Sequence, residues 1–177
     1  MMIGRNRFNV YLLLLLAGLL AGGCRTAESK QKKELSILRV HVEANPGWTD
    51  RTVTVSLPRT NSVSVTVEKD PFLTEADVKE ARVVDVAGGF DLQIQFDQEG
   101  TWLLEQYSAS NNGRHFVIFA SFGEKLKQSR WLAAPKIVHL IPNGVLLFTP
   151  DATREEAGQI ALGLNNVAKK TQKDSKW

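Results

Sequence analysis

The single cysteine of the chain, Cys24, stands where its type and its position predict covalent chemistry. It closes the string LLAGGC at Leu19–Cys24, which ends an uncharged apolar run that two arginines precede. A positive segment, an apolar segment and small residues before a cleavage point make up a secretory signal. The apolar run is shorter than the roughly 20 residues of a membrane-spanning helix. We therefore predict an export signal over residues 1–23.

The string around Cys24 resembles the lipobox of bacterial lipoproteins, in which the thiol is acylated and becomes the new N-terminus. Ala21 stands where that family favours leucine, and a plain signal peptide is the alternative. Two acyl chains anchor a protein stably, whereas one binds only marginally. The resemblance implies a lipid anchor on Cys24 and a location outside the cytoplasm. Since Arg25 rather than an aspartate follows, it implies the outer membrane, facing the periplasm, in a diderm bacterium.

The charge of the chain argues against a nucleic-acid partner. The formal net charge is +3 and includes Arg5 and Arg7 of the signal, so the mature chain is too nearly neutral for such a role. Basic residues cluster in a polar linker, residues 24–34, and in a tail, residues 169–177. Anionic lipid headgroups suit both clusters, and a solvated linker and tail explain them equally well. The clusters consist of Arg25, Lys30, Lys32, Lys33, Lys169, Lys170, Lys173 and Lys176.

The histidines and serines form no recognisable catalytic set. Nucleophilic catalysis needs a nucleophile beside a base that a third group orients. His41, His115 and His139 are available as bases, but the sequence has no Gly-x-Ser-x-Gly motif. All three histidines fall in predicted strands, where packing and surface roles are commoner.

The carboxylates raise two further kinds of site, an acid–base site and a metal site. Asp85, Asp91 and Asp97 are candidates for acid–base chemistry, but each has a simpler role at a strand edge or a helix start. His41 and Glu43 share a predicted strand face and offer two metal ligands, whereas zinc sites need three or four. Because no phosphate-binding glycine loop is present either, we predict no cofactor, no metal and no enzymatic activity.

Alternating residues predict a strand and a hairpin in the N-terminal half. Ser36–Val42 is predicted to be a strand that ends at the turn Asn45–Gly47. Two segments that alternate apolar and hydroxyl residues follow, on either side of Pro58–Asn61, and predict a hairpin with one buried and one wet face. The wet face consists of Thr52, Thr54, Ser56, Ser62, Ser64 and Thr66.

The middle of the chain alternates helices and strands. Thr74 is placed to start a helix that continues through Ala81 and leads into the strand Arg82–Val86. A half-exposed strand, Phe90–Phe96, precedes a helix that Asp97 caps. Phe116–Ala120 is apolar throughout, which suits a strand covered on both faces. The stretch Phe122–Ala134 is polar and basic.

The C-terminal part predicts a second hairpin and a closing helix. Lys136–Ile141 and Val145–Thr149 flank Pro142-Asn143-Gly144, whose types suit a hairpin turn. Thr153 and Glu156 then have the spacing of a capping box. The apolar stripe of the helix is Ala157, Ile160, Ala161, Leu164, Val167 and Ala168. The predicted fold class is α+β, a mostly antiparallel sheet with helices packed on one face.

Four ordered motifs over residues 71–168 resemble the head subdomain of the first periplasmic domain of SecD, a membrane protein that assists Sec-dependent export. The resemblance implies a ferredoxin-like head within an α+β domain over residues 35–168, acting as a non-catalytic binding module. The motifs are Pro71–Asp85, Leu92–Phe119, Trp131–Ile137 and Asn143–Leu164.

The departures from SecD concern function. The transmembrane helices that carry proton-driven work in SecD have no counterpart in this sequence. Asn165-Asn166-Val167 replaces a Gly-x-Leu-Pro exit from the last helix. An insertion stands between Phe122 and Trp131, where the family has a tight Asp-Gly turn. The resemblance therefore implies binding and gives no support for energy-coupled translocation.

Two functions follow from the sequence. We predict that the hairpin Thr52–Val67 binds an extended segment of an exported polypeptide, or a Sec-associated or other envelope protein, by strand addition. The alternative is a structural envelope lipoprotein that holds a complex together through Trp102, Trp131 or the basic tail, without handling clients.

Overall fold

The structure of the protein, a computed structural model, describes residues 34–174 apart from 46, 48–49 and 58–62. The chain divides into two compact units, Met1–Lys33 and Glu34–Trp177, and every described residue belongs to the second. The predicted signal, Cys24 and Ser62 lie outside the described residues. So do residue 46 of the predicted turn Asn45–Gly47 and the whole of the predicted turn Pro58–Asn61.

The described residues form nine strands and two α-helices, together with 3₁₀ turns at Glu75–Asp77 and Glu124–Leu126. In chain order they are β1 Ile37–Val42, β2 Thr52–Leu57, β3 Val63–Glu68, β4 Leu73–Thr74, β5 Val78–Val86, β6 Gly89–Phe96, α1 Gln98–Ser110, β7 Phe116–Phe122, β8 Gln128–Ala133, β9 Val145–Phe148 and α2 Arg154–Asp174.

The strands pair into three sheets, and every pairing is antiparallel. The orders are β4-β1-β7-β8, β5-β6-β9 and the two-stranded β2-β3. The α+β class is confirmed, with the strands distributed over three sheets rather than one. The alternation in Thr52–Leu57 and the run Phe116–Ala120 are confirmed as strands.

The main core consists of residues from the four-stranded sheet, the three-stranded sheet and both helices. β7 is the central strand that the apolar run predicted, since Phe116 and Ile118 face this core while Val117 faces the hairpin β2–β3 on the other side. All three side chains are at most 1% exposed. A continuous apolar strand is expected wherever both faces of a sheet are covered.

The predicted helix from Thr74 through Ala81 is wrong beyond its first turn. The cap forms, because Thr74 Oγ1 accepts from Ala76 N and Asp77 accepts from Thr74 N at 2.7 Å. β5 then begins at Val78. A bulge between Val78 and Glu80 shifts the register of β5 against β6, so Val78 and Ala81 both reach the core despite a spacing of three. That spacing imitates a helix.

The second predicted hairpin is also wrong. Val145–Phe148 is a strand, but it pairs with β6, and Lys136–Ile141 forms no strand against it. Ile137 instead exchanges backbone hydrogen bonds with Gly113 and Arg114, and Ile141 N donates to Ser108 Oγ of α1 at 3.0 Å. The segment thus runs along α1. Gly144 does adopt a positive φ of 67°, which its turn requires.

The polar stretch Phe122–Ala134 contains the 3₁₀ turn and β8, which pairs with β7. Its register places Ser129 opposite Ser121, and their hydroxyl oxygens lie 2.8 Å apart. β8 therefore forms the fourth strand of this sheet, at its edge.

The closing helix α2 has the predicted cap and stripe. Glu156 N donates to Thr153 Oγ1 and Thr153 N donates to the Glu156 carboxylate at 2.8 Å. Ala157, Ile160, Ala161, Leu164 and Ala168 are buried, as the period predicted, and Val167 is half-buried. The helix continues beyond the predicted domain boundary at residue 168 to Asp174.

Candidate functional site

The hairpin β2–β3 packs its apolar side against the back of the four-stranded sheet. Val55, Leu57 and Val67 are at most 8% exposed and form a second core with Val117. The half-buried residues packed against it are Val65, Trp131 and Ala134. The opposite side carries the predicted hydroxyls, of which Thr54 Oγ1 and Thr66 Oγ1 lie 3.2 Å apart across the strands. Ser62 lies outside the described residues.

The outer edge of β2 has no strand paired to it among the residues that the structure describes. Lys69 N donates to Arg51 O at 2.9 Å, which makes residues 51 and 69 a hydrogen-bonded pair. In an antiparallel ladder such pairs alternate with pairs whose backbone groups point outward. Thr54 and Ser56 belong to the second kind, so their N–H and C=O groups point away from β3.

Two residues on the apolar side of the hairpin are exposed rather than packed on the sheet. Val53 is 42% exposed and Val63 is 47% exposed, although the sequence pattern predicted that both would be buried. Beside Val63 runs a small groove of about 100 Å³, lined by Leu57, Val63, Val65, His115 and Ala134. Apolar side chains next to an open edge can contact alternate side chains of an added strand.

Three contacts fix β3 to the end of β1. Glu43 bridges to Val67, and Ala44 N donates to Thr66 O at 2.9 Å. The third is His41, whose Nδ1 lies 2.8 Å from Glu68 O. A carbonyl oxygen only accepts, so Nδ1 carries the proton. The His41 ring also meets Trp131 edge-on, with ring centroids 5.4 Å apart.

Burial lowers the pKa of His41 below its ordinary 6.5, against the opposing effect of its bond to Glu68 O. The unfolded chain therefore binds a proton at His41 more readily than the folded chain does. The contribution of neutral His41 to the free energy of unfolding is complete above pH 6.5 and is lost as the pH falls below that value. We expect urea unfolding to show lower stability at pH 5.5 than at pH 7.5, and His41→Asn to lose less over the same interval. Equal losses in both proteins would contradict this role for His41.

A larger cleft of about 580 Å³ lies at the start of β2, where opposite charges meet. Arg51 and Arg114 line it together with Glu68 and Asp70, and Tyr107 of α1 contributes to its wall. Sequence reasoning missed this cleft because its residues come from five separate parts of the chain, and no local spacing connects them.

The candidate catalytic and metal residues do not converge. Glu43 pairs with His115, with Oε2 and Nδ1 2.7 Å apart, whereas His41 bonds to Glu68 O. No group of three or more His, Cys, Asp and Glu side chains suited to a metal occurs among the described residues. Asp85 pairs with Arg154, which lowers the pKa of that carboxyl. Asp91 accepts from Thr149, and Asp97 caps α1 by accepting from Gly100 N.

Within the described part of the chain, no helix is both long and apolar enough to cross a membrane. Comparison with curated proteins gives no match.

The model of the family "SecDF, P1 head subdomain" matches residues 51–168, two thirds of the chain, and includes the hairpin. Two solved structures resemble this one, each with a TM-score of 0.55. "Structure and function of a membrane component SecDF that enhances protein export" is 20% identical over 80% of this chain and 67% of its own. "Crystal structure of SecDF in Super-membrane-facing form" is 21% identical over 77% of this chain and 20% of its own.

The chain thus spans about two thirds of the first structure and one fifth of the second, and at these identities the likeness establishes the fold. The family match rests on the sequence itself and agrees with the motifs in Pro71–Asp85 and beyond. The chain belongs to the SecDF P1 head subdomain family.

Proposed function

We propose that the protein is a non-catalytic module of protein export that binds extended segments of exported polypeptides on the outer edge of β2. The open edge at Thr54 and Ser56 carries this proposal. Main-chain hydrogen bonds supply affinity in strand addition without selecting a sequence. Such recognition suits clients of varied sequence, and the similar SecDF structure is described as enhancing protein export.

Packing and hydrogen bonds of the hairpin fix the position of this edge. Its apolar side is buried on Val117, and β3 is tied to Glu43 and Ala44. An isolated hairpin is marginally stable in water, and packing against a sheet stabilises it. A client strand would therefore add to a preformed edge, which reduces the conformational entropy lost on binding.

Thr54→Pro tests the edge directly. Proline removes the outward N–H of residue 54 but none of the bonds between β2 and β3, because those come from residues 53, 55 and 57. We expect client binding to weaken roughly two- to ten-fold, as for one lost hydrogen bond of about 0.5–1.5 kcal/mol. The matched control, Thr54→Ala, removes the hydroxyl and keeps the N–H, so binding should persist. Equal binding by both variants would count against strand addition.

Photo-crosslinkers test the proposal in intact cells. Placed at Thr54 and Ser56 of the full chain, they should trap nascent exported polypeptides. Leu147 of β9 is the control position, since it is 49% exposed on another sheet. Crosslinks no stronger at the hairpin than at Leu147 would refute a client site on β2.

Among the described residues, the scaffold alternative has one exposed tryptophan to act through. Trp102 on α1 is 64% exposed, whereas Trp131 is half-buried between His41 and Phe119. A pull-down that returned one stoichiometric membrane partner, abolished by Trp102→Ala and unaffected by Thr54→Pro, would favour a scaffold over client binding.

We also propose that Cys24 carries a lipid anchor, which places the domain outside the cytoplasm. The signal-like residues 1–23 and the cysteine that follows support it. The intact mass of the mature protein is the measurement. A chain that starts at Cys24 and carries acyl groups is expected, and an unmodified cysteine would exclude the anchor, the outer-membrane location and the membrane partner together.

A further inference from the structure

The domain begins at Glu34, and its first three residues pack tightly against α2. Asn166 Nδ2 donates to Glu34 O at 3.0 Å, and Ser36 is 1% exposed beside Gly163. A Cβ at Gly163 would stand 2.6 Å from Ser36 N and 2.7 Å from the carbonyl carbon of Leu35. The missing side chain is therefore what lets residues 35–36 lie against the helix.

Exposed lysines surround this entry point. Lys169 and Lys170 follow Asn166 within about one helical turn, and both are exposed. Lys79 and Lys169 line one shallow depression, with Glu80 as its carboxylate. By sequence, Lys30, Lys32 and Lys33 come within four residues of Glu34. Three exposed lysines, Lys79, Lys169 and Lys170, thus lie at this corner together with the carboxylates of Glu34 and Glu80.

The hairpin lies at the other end of β1. Ser36 precedes β1, while Glu43 and Ala44, which hold β3, follow it. A six-residue strand is roughly 20 Å long. The entry of the chain and the client edge are thus separated by the length of β1.

We propose that the corner formed by Lys79, Lys169 and Lys170 docks on anionic lipid headgroups and directs the hairpin away from the bilayer. The proposal rests on the lipid anchor proposed above. The eleven residues from Cys24 to Glu34 are joined by ten Cα–Cα steps and span at most about 35 Å, so this linker keeps the corner close to the headgroups. A short tether raises the effective concentration to the millimolar range, at which a few weak lysine contacts decide orientation.

Headgroup quenching in reconstituted vesicles tests the orientation. The full lipidated chain is labelled with a fluorophore at Thr171→Cys or at Ser56→Cys, in vesicles of phosphatidylglycerol and phosphatidylcholine that contain a headgroup quencher. We expect quenching at residue 171 to exceed that at residue 56 at least threefold. The difference should vanish in pure phosphatidylcholine and in 0.5 M salt, since the Debye length falls well below 10 Å.

Two double charge-reversal variants distinguish the effect of this lysine corner from the effect of the net charge of the protein. Lys169→Glu with Lys170→Glu should abolish the difference, whereas Arg82→Glu with Lys136→Glu, the same charge change at exposed positions elsewhere, should preserve it. Equal quenching at both labels, or loss in both double variants, overturns the proposal. Retention of the chain on pure phosphatidylcholine vesicles reports on the lipid anchor alone. A failure of the anchor and a failure of the docking are therefore distinguishable.

Discussion

Gly163→Ala should destabilise the protein by about 1–3 kcal/mol, the usual range for overpacking a tight contact. The new Cβ meets backbone atoms of Leu35 and Ser36 at less than 3 Å, and backbone cannot rotate away as the end of a long side chain can. Residues 34–36 must move, and the bond from Asn166 to Glu34 O should break with them. Urea unfolding measures the loss, and hydrogen exchange at residues 34–38 should show where it occurs.

Gly158→Ala is the matched control on the same helix. Apart from its chain neighbours and the backbone of its own helix, no atom lies within 4 Å of a Cβ built there, and alanine is favoured over glycine in a helix by about 0.8–1 kcal/mol. The same substitution five residues earlier should therefore stabilise the protein. If both variants shifted stability in the same direction, close packing at Gly163 would not be the cause.

The misassigned elements have a common physical cause. Thr74 and Asp77 carry a genuine helix-start signal and do form a cap, but β6 pairs with the residues that follow. Val145–Phe148 reads correctly as a strand, yet its partner β6 lies some 50 residues earlier in the chain. Local patterns predict the conformation of a segment. The identity of its partner depends on tertiary packing, which the sequence pattern does not contain.

The candidate site divides in the same way. Alternation predicted the hairpin and the hydroxyls on its wet side, because period two follows directly from strand geometry. It also predicted that Val53 and Val63 would be buried, but both side chains are exposed. The bond of His41 to Glu68 O connects residues that are 27 positions apart. Only the folded chain brings them together.

Asn165 and Asn166 lie inside α2, which continues to Asp174, and both side chains bind backbone groups of other segments. Asn165 Oδ1 accepts from Ala81 N and its Nδ2 donates to Ala81 O, each at 2.8 Å. One side chain thus satisfies both outward backbone groups of Ala81 on the outer edge of β5, as a neighbouring strand would at that position.

Asn165→Leu should accordingly cost about 2–6 kcal/mol, since leucine fills the space and leaves a buried donor and acceptor of Ala81 unpaired at about 1–3 kcal/mol each. Urea unfolding should show this loss, and light scattering should show self-association through the uncovered edge of β5. Gln159→Leu is the control, because residue 159 is exposed on the same helix, and surface changes shift stability by less than about 0.5 kcal/mol. Stability unchanged from the parent protein would show that water replaces the amide and that Asn165 does not protect the edge.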